Sequence, residues 1–394
     1  MTRLSIVTTH PIQYHAAWFR ALAAHPQIEL TVFFCHHATP KEQAAAGFGV
    51  EFDWDTSLLE GYPHRFLRNE AAEPTLDKFS GLDTPEIRNL IEEEKFDAVM
   101  VNGWHYKSAW QTMRACWKTK TPVMMRSDSH LHTDRSGVKR AAKWPLYRWF
   151  IPKLDACLAA GTWSRDYFLH YGASPERTFI VPHAVDSKFF SQESTKLLPE
   201  RQNLRGQWGI LDASTVFLFA GKFIENKRPL DFVRAIGSAA QAGAPVFGLM
   251  VGDGPLRSAC EELTRIDRFP ISFTGFLNQS EIPRAYVAAD ALILPSEGET
   301  WGLVVNEAMD CGLPCFVSDR VGCGPDLIVP DETGAIFRLS DTAGLVKLLV
   351  SLASNPKRLA SMGRQAKQRT SAYSVEAACN ALLEAVSRTV KNRL

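Results

Sequence analysis

Two carboxylates within one short stretch have the spacing that a ligand site would need. Glu299 and Glu307 are separated by seven residues. Glu299 follows the apolar run Ala291 to Leu294 in a loop of Gly, Ser and Thr, so we expect it to project from the carboxyl end of a buried strand. Open α/β sheets bind their ligands at that edge. The alternative is that both are ordinary solvated carboxylates, one on a loop and one on a helix.

The residues around these carboxylates predict a short helix that starts beside them. Leu303 to Asp310 has a helical pattern, Gly302 before it permits close backbone approach to a ligand, and Pro314 prevents continuation. The free N–H groups and positive dipole end of a helix start favour an anion such as a diphosphate. An anion there, with acids beside it for hydroxyl groups, suits a sugar nucleotide.

Two lysines earlier in the chain could neutralise the same phosphate charge. Val216 to Ala220 is predicted as a strand, and Gly221 and Lys222 follow it directly. Pro229 fits the first turn of a helix, which places Lys227 beside the start of that helix. Two ammonium groups there would neutralise a diphosphate without a metal ion. The alternative is a pair of surface lysines flanking a turn, which is the usual fate of Lys.

Polar side chains also follow predicted strands in the first half of the chain. Strands predicted near 4–7, 98–101 and 122–125 are followed by residues that could contact a substrate, namely His10, His105, Arg126, Asp128 and His130. Because parallel strands end at one edge of a sheet, we expect a polar pocket there. His105 lies between Trp104 and Tyr106, and aromatic faces stack on sugars. His10 could instead fill a turn, and Asp128 could cap the following helix.

The order of predicted elements indicates the fold class. Strands alternate with helical patterns in both halves, which is typical of doubly wound α/β sheets. The first strand is followed by H-P-I-Q-Y rather than G-x-G-x-x-G, so no pyrophosphate site is predicted in the first half. At 394 residues the chain has room for two domains. The polar stretch Ser191 to Asn203 lacks strong periodicity, and we interpret it as the linker between them.

Composition narrows the class of protein. The hydrophobic content of 45% and charged content of 22% are normal for a globular protein, and the net charge of +1 argues against a dedicated nucleic-acid binder. Eight scattered cysteines without a C-x-x-C pair indicate reduced thiols in a cytoplasmic protein, and no metal site is predicted from them or from His130 and His132. No apolar stretch approaches the roughly 20 residues of a membrane span.

Basic and aromatic side chains interleave between residues 139 and 153, in the run K-R-A-A-K-W-P-L-Y-R-W-F-I-P-K. Such a segment can lie on an anionic membrane surface. It could equally be a helix whose aromatic residues are core and whose basic residues are solvated. Pro145 predicts an interruption of any long helix here.

Several short motifs follow one another in the second half. In chain order they are Gly221-Lys222 with Lys227, Val251 to Pro255, Phe273 to Gly275, Ala289-Asp290 with Pro295-Ser296, Glu299 to Glu307, and Ala308-Met309 before Cys311 to Pro314. This ordered set resembles the retaining, family 4 type glycosyltransferases, which have the GT-B fold of two facing Rossmann-like domains. In the first half, Val181 to Asp186 is similar to the family's P-N-G-V-D segment. Lys222 stands where Arg is common, which keeps a cation but loses bidentate geometry.

The resemblance implies a domain organisation. Residues 1–190 would form an N-terminal Rossmann-like acceptor domain, and residues 191–374 a C-terminal Rossmann-like nucleotide-sugar-binding domain. A C-terminal helix at about 375–394 would pack back on the first domain.

The resemblance also implies site roles. Gly221, Lys222 and Lys227 would bind the donor diphosphate, together with backbone N–H groups near Trp301 and Gly302. Glu299 would hold hydroxyls of the donor sugar and Glu307 those of the ribose. The family places a His from the first domain near the donor sugar, and four residues compete for that position: His105, Arg126, Asp128 and His130. We take Glu299, His105 and Asp128 as candidate catalytic residues, with His10, Arg126 and His130 on the acceptor or sugar side.

The predicted function is therefore retaining transfer of a hexose-type sugar from a UDP or GDP type donor, without a metal or other cofactor. The acceptor would be a glycan, a lipid-linked saccharide or a small molecule, as in polysaccharide biosynthesis. The enzyme would be cytoplasmic, with a peripheral contact to the inner face of the membrane through residues 139–153. The alternatives are another sugar-nucleotide enzyme on the same fold, such as a 2-epimerase or hydrolase, and a catalytically silent binding scaffold.

Overall fold

Two compact units make up the part of the chain that the computed structural model describes, which is residues 1–44, 47, 49–132, 137–211 and 213–391. Unit 1 comprises Met1–Ala38, Ser57–Ala184 and Ser374–Leu394. Unit 2 comprises Thr39–Thr56 and Val185–Tyr373.

Unit 1 is built on a parallel sheet. Its strands are, in chain order, β1 (Thr2–Thr8), β2 (Ile28–Phe34), β3 (His64–Phe66), β4 (Ala98–Asn102), β5 (Val123–Ser127), β6 (Ala156–Ala159) and β7 (Thr178–Ile180). They lie in the order β3-β2-β1-β4-β5-β6-β7. In the register, Leu4 of β1 lies opposite Leu30 of β2 and Ala98 of β4. The central strands read as continuous apolar runs because helices cover both faces of a parallel sheet.

Unit 2 repeats this architecture. Its strands are β8 (Thr215–Ala220), β9 (Val246–Val251), β10 (Ile271–Gly275), β11 (Ala291–Leu294), β12 (Cys315–Ser318) and β13 (Gly334–Phe337). They pair in parallel in the order β10-β9-β8-β11-β12-β13. The predicted fold class, two Rossmann-like α/β units with mainly parallel sheets, is confirmed.

Helices connect the strands. In chain order they are α1 (Gln13–Ala23), α2 (Pro40–Gln43), α3 (Ile87–Glu94), α4 (Lys107–Thr119), α5 (Gly137–Phe150), α6 (Thr162–His170), α7 (Ser187–Leu197), α8 (Arg201–Gln207), α9 (Pro229–Gln241), α10 (Arg257–Asp267), α11 (Pro283–Ala288), α12 (Leu303–Asp310), α13 (Gly324–Leu327), α14 (Thr342–Ala353), α15 (Pro356–Thr370) and α16 (Val375–Lys391). None of the helices in the described ranges is long and apolar enough to span a membrane.

Helix α9 illustrates how the sequence positions the site. Pro229 occupies its first turn, where a missing N–H costs nothing. Phe232, Val233 and Ile236 then recur on one face and are buried in the core of unit 2. Burial of such side chains stabilises the unit by about 1.5–3 kcal/mol each. The start of α9 is thereby held at the carboxyl edge of the sheet, directly after the loop that carries Lys227.

The last helix of the chain belongs to unit 1. Helix α16 packs against α1, and its Ala378 and Leu382 lie in one buried cluster with Trp18 and Phe19 of α1. The chain therefore returns to the first sheet after completing the second.

Two stretches differ from the local expectations. The polar stretch Ser191 to Asn203, which we expected to be an irregular linker, is largely helical and forms parts of α7 and α8. Two features stabilise α7: the Asp186 side chain caps it by accepting a hydrogen bond from the Phe189 N–H at 3.1 Å, and Phe190 is buried. Helix α5 continues through Pro145 rather than ending before it. The short edge strands β3, β7 and β13 were not predicted either, because three or four residues are too few to show a periodic pattern of apolar side chains.

Candidate functional site

The exits of β8 and β11 lie side by side in unit 2. Strand β8 comes first in the chain among the strands of this sheet, and it lies inside the sheet between β9 and β11. Such a topological switch point opens a crevice at the carboxyl edge. Gly221 and Lys222 leave β8 there, and Ser296 to Glu299 leave β11. The structure thus brings together the two halves of the site predicted in the second half of the chain.

Hydrogen bonds join these two exit loops directly. The Asn226 side-chain amide donates to the Gly298 carbonyl at 2.6 Å, and the Glu297 N–H donates to the Asn226 carbonyl at 2.8 Å. The Lys227 ammonium forms an ion pair with the Glu299 carboxylate. Asn226 went unnoticed in the sequence, although it lies next to Lys227 in the loop before Pro229.

Glu299 is held in place from several sides. Ser296 Oγ donates to Glu299 Oε1 at 2.9 Å, the Glu299 N–H donates to the Arg320 carbonyl at 3.1 Å, and the Gly322 N–H donates to the Glu299 carbonyl at 3.1 Å. Its side chain is only 12% exposed. A carboxylate fixed in this way presents its remaining acceptor capacity in a defined direction, as hydroxyl recognition requires.

Lys222 and Lys227 lie close enough to influence each other. Burial lowers the pKa of Lys222, the positive charge of Lys227 lowers it further, and the charge of Glu299 opposes both effects. Two ammonium groups that repel each other favour an anion between them, because it relieves that repulsion.

The start of α12 completes this side of the crevice. Gly302 precedes it with φ +102°, and a Cβ there would lie 3.2 Å from Val321 Cγ1. The Trp301 indole N–H donates to Asn306 Oδ1 at 2.9 Å, and Trp301 is buried. The indole thereby anchors the loop to the first turns of the helix.

Glu307 lies on α12 and is mostly buried. The hydroxyl of Tyr286, on α11, donates to Glu307 Oε2 at 2.5 Å. Tyr286 is fully buried, so it fixes the orientation of the carboxylate. Sequence reasoning missed Tyr286, because nothing in the sequence shows that α11 and α12 are neighbours at this point.

Gly252 shows how closely the strand exits of unit 2 approach each other. Its φ is +128°, and a Cβ there would lie 2.0 Å from the Gly221 carbonyl oxygen. Only glycine fits such a contact. The Gly252 N–H also donates to the Gly275 carbonyl at 2.9 Å, which ties the exits of β9 and β10 together.

Unit 1 gathers a second polar cluster at the exits of its own strands. The Arg126 guanidinium is buried, contacts His183 Nδ1 at 3.3 Å and lies 4.7 Å from the centre of the Trp18 ring. Asp128 Oδ2 lies 3.6 Å from His183 Nε2. Burial lowers the pKa of Arg126 to about 10, although the charge of Asp128 opposes the shift.

His10, Arg126 and Asp128, three of the predicted residues, come together here with two that sequence reasoning missed, His15 and His183. Burial lowers the pKa of His15 well below its usual value, and the charges of Arg126, His183 and His10 lower it further while Asp128 opposes them. Burial also lowers the pKa of His183. The sequence could have pointed to His183, because this residue stands in the P-H-A-V-D segment at the position where the family's P-N-G-V-D segment has Asn.

The other two predicted residues lie in different surroundings. His105 is exposed, and its neighbour Trp104 is buried among Tyr147, Phe150 and Tyr167, so Trp104 is a core residue and not a stacking platform for a sugar. Trp104 therefore offers no exposed ring beside His105, because the residue after a strand can turn either outward or into the core. His130 is buried, with its ring 5.1 Å from that of Trp163, and His132 stacks on Trp163 at 4.0 Å.

Among the residues that the structure describes, no group of three or more His, Cys, Asp or Glu side chains could hold a metal ion. None of the eight cysteines, all within the described ranges, forms a disulfide, and burial raises the pKa of several, including Cys35 to about 11.

Two Rossmann-like units, each built on a parallel sheet, are the architecture of the GT-B class. The model of glycosyl transferases group 1 matches residues 200–369, and that of glycosyltransferase family 4 matches residues 18–189. The chain belongs to the family 4 type glycosyltransferases.

Individual relatives agree with this assignment. The chain is 38% identical over 131 residues to sulfoquinovosyl transferase SQD2 of Arabidopsis thaliana, a match covering 32% of this chain and 25% of that protein. It is 27% identical over 371 residues to D-inositol 3-phosphate glycosyltransferase of Rhodococcus opacus (strain B4), covering 86% and 80%. HepE of Anabaena, solved in complex with UDP, superposes with a TM-score of 0.73 at 15% identity, covering 98% of this chain and 100% of that chain. The match to the Arabidopsis protein thus spans only a quarter of that relative.

Proposed function

We propose that the protein transfers a hexose-type sugar from a nucleoside diphosphate sugar to an acceptor, with retention of the anomeric configuration and without a metal ion. The observation that carries the proposal is the joined pair of exit loops in unit 2. Lys222, Lys227 and Glu299 lie on these two loops and interact with one another, and Glu299 shortly precedes the start of α12.

Each group of this site has a role in the proposal. Lys222, Lys227 and backbone N–H groups around Gly302 bind the diphosphate, which gathers negative charge as it leaves. The Lys227 ammonium has three N–H donors, so it can contact a phosphate oxygen while keeping its contact with Glu299. Glu299 accepts hydrogen bonds from hydroxyls of the donor sugar, and Glu307, oriented by Tyr286, accepts them from the ribose.

The comparisons support the donor class. HepE of Anabaena was solved with UDP, and the two relatives named above are called a sulfoquinovosyl transferase and a D-inositol 3-phosphate glycosyltransferase. We therefore propose a UDP or GDP type donor and no further cofactor. We further propose that the acceptor is a glycan or a lipid-linked saccharide, bound mainly by unit 1, where the cluster of His10, Arg126, Asp128 and His183 offers both donors and acceptors of hydrogen bonds.

Lys227→Ala tests the diphosphate site. A hydrogen bond to a charged group contributes about 1.5–3 kcal/mol, so we expect nucleoside diphosphate affinity to fall roughly 10- to 100-fold. Isothermal titration with UDP and GDP measures this directly. The control is Lys347→Ala, which removes an exposed lysine of α14 in the same unit. Equal affinity in wild type and Lys227→Ala would place the diphosphate elsewhere.

Product analysis separates the transferase from the other enzymes on this fold. A donor that is epimerised, or free sugar as the only product in the presence of acceptors, would point to an epimerase or a hydrolase. Nucleotide binding without any turnover would point to a binding scaffold.

We also propose that the enzyme is cytoplasmic and contacts the inner face of an anionic membrane through residues 139–153. Side chains of this segment divide between core and surface. Tyr147, Phe150 and Ile151 are buried, whereas Trp144, Leu146 and Trp149 are 42%, 45% and 50% exposed. Cations accompany the exposed rings, with Lys153 Nζ 3.8 Å from the centre of the Trp149 ring. The side chains of Lys139 and Arg140 lie outside the described part of the chain.

Vesicle sedimentation tests this contact. Each basic residue near an anionic bilayer contributes about 1 kcal/mol, so Lys153→Ala should weaken partitioning onto phosphatidylglycerol vesicles roughly fivefold, and high salt should release the wild type. Trp149→Ala should weaken it as well. The control is Phe79→Ala, which removes another exposed aromatic ring of unit 1. Binding that is absent, or independent of salt, would contradict the proposal.

A further inference from the structure

A short segment from the first part of the sequence packs within unit 2. Residues 39–56 belong to unit 2 by their contacts, although the chain on either side of them belongs to unit 1. Its described residues Gly47 and Gly49 to Thr56 make the contacts considered below. No motif of the sequence predicted this placement.

Polar contacts tie the segment to the loop that follows β10. The Asp55 carboxylate accepts hydrogen bonds from the Ser280 N–H at 3.1 Å and from the Ser280 hydroxyl. The Asn278 side-chain amide donates to the Asp53 carbonyl at 2.8 Å, and Thr56 Oγ1 donates to Gln279 Oε1 at 3.1 Å. Three successive residues of the loop are thereby bonded to the segment.

Aromatic contacts reinforce this attachment. The Phe52 ring lies 4.3 Å from the Phe276 ring, and it meets the Trp54 ring edge to face at 4.9 Å. Pairs of this kind contribute roughly 0.5–1.5 kcal/mol beyond their buried area.

The segment also reaches the exits of the next two strands. A Cβ at Gly49 would lie 3.1 Å from Gly254 Cα, in the loop after β9. A Cβ at Gly47 would lie 3.4 Å from Lys222 Cδ, in the loop after β8. Because β10, β9 and β8 are neighbours in the sheet, these contacts follow the carboxyl edge up to the lysine proposed to bind the diphosphate.

The loop after β10 is connected to the ribose side of the proposed site. It leads directly into α11, whose Tyr286 orients Glu307. A change in this loop would therefore shift the start of α11.

We propose that residues 49–56 position the donor site of unit 2, by holding the loops after β9 and β10 in the arrangement that binds a nucleoside diphosphate. This inference rests on the proposed function. Asp55 and Phe52 are positioning residues in it, since they act through Ser280 and Phe276 and need not touch the donor themselves.

Asp55→Ala tests the inference. We expect its affinity for UDP or GDP to fall roughly 5- to 20-fold, less than the loss of a direct charged hydrogen bond to the donor would cause, while kcat at saturating donor stays within about twofold. Asp55→Asn keeps an acceptor for the Ser280 N–H and should restore most of the affinity. Asp53→Ala is the matched control, because it removes the same charge two residues away but leaves intact the Asp53 carbonyl that Asn278 contacts.

Three outcomes are distinguishable by titration calorimetry, with thermal unfolding of each variant showing that it is folded. Weak binding in Asp55→Ala and Phe52→Ala, with normal binding in Asp53→Ala and rescue by Asp55→Asn, supports the inference. Normal binding in Asp55→Ala and Phe52→Ala, with weak binding in Lys227→Ala, overturns the inference and leaves the proposed function standing. A wild type that binds no nucleoside diphosphate overturns both.

Discussion

Glu299→Gln is expected to lower kcat by about 10²- to 10³-fold, the range seen when one preorganised polar contact to a reacting group is removed. The exchange keeps the shape of the side chain and removes its charge. It takes away the ion pair with Lys227 and one acceptor for hydroxyls of the donor sugar, so both the sugar and the ammonium lose their orientation. Steady-state kinetics with saturating donor measures kcat, and circular dichroism shows whether the variant is folded.

Glu297→Gln is the matched control for this experiment. Glu297 lies in the same loop and pairs with Arg228 at 3.1 Å, but it is 46% exposed and lies outside the proposed site. We expect it to keep kcat within about twofold, since an exposed ion pair contributes about 0–1 kcal/mol. A loss of turnover that is equal in the two variants would show that the loop as a whole matters, and not the carboxylate of Glu299.

Asp290→Ala is expected to produce the largest loss of stability, about 3–5 kcal/mol in the free energy of unfolding of unit 2, as when one partner of a buried ion pair is removed. Asp290 pairs with Arg201 at 2.6 Å and with Arg205 at 2.7 Å, and it accepts a hydrogen bond from the Val216 N–H at 2.7 Å. Arg205 is only 7% exposed, so its charge would be left buried without a counterion. Burial lowers the pKa of Arg201, and the charge of Asp290 opposes that shift.

Urea unfolding monitored by tryptophan fluorescence measures this effect. Asp267→Ala removes an exposed aspartate from the end of α10 and should change the unfolding free energy by less than about 0.5 kcal/mol. An Asp290→Ala protein as stable as this control would mean that solvent reaches Arg205 after the change and replaces the lost carboxylate.

The sequence was sufficient to predict where the loops of the proposed site begin. Apolar runs such as Val216 to Ala220 and Ala291 to Leu294 can be buried only as central strands, and polar residues that follow them must emerge at the carboxyl edge. The pairing of Lys227 with Glu299, 72 residues apart, follows from β8 and β11 being neighbours in a doubly wound sheet. The order of the short motifs indicated the family, because each motif is common by itself whereas the whole set in this order is not.

The direction that each side chain takes after a strand could not be predicted. Trp104 and His105 are adjacent in the sequence, yet one is core and the other is exposed. Arg126 lies against Trp18 and His183, which come from a helix and a loop that hydrophobic periodicity does not place. Such choices depend on the shape of the space that remains after all other elements have packed.

The amino-acid sequence by itself therefore determined the central strands, the fold class, and the residue types that follow those strands in unit 2, because the apolar runs that form central strands are local features of the chain. Only the tertiary structure shows that Tyr286 contacts Glu307, that His15 and His183 lie near Arg126 and Asp128, and that residues 49–56 contact the loops after β9 and β10. The physical reason is that these contacts join residues far apart in sequence, whose meeting follows from how packed helices and loops fill space and not from any repeating pattern.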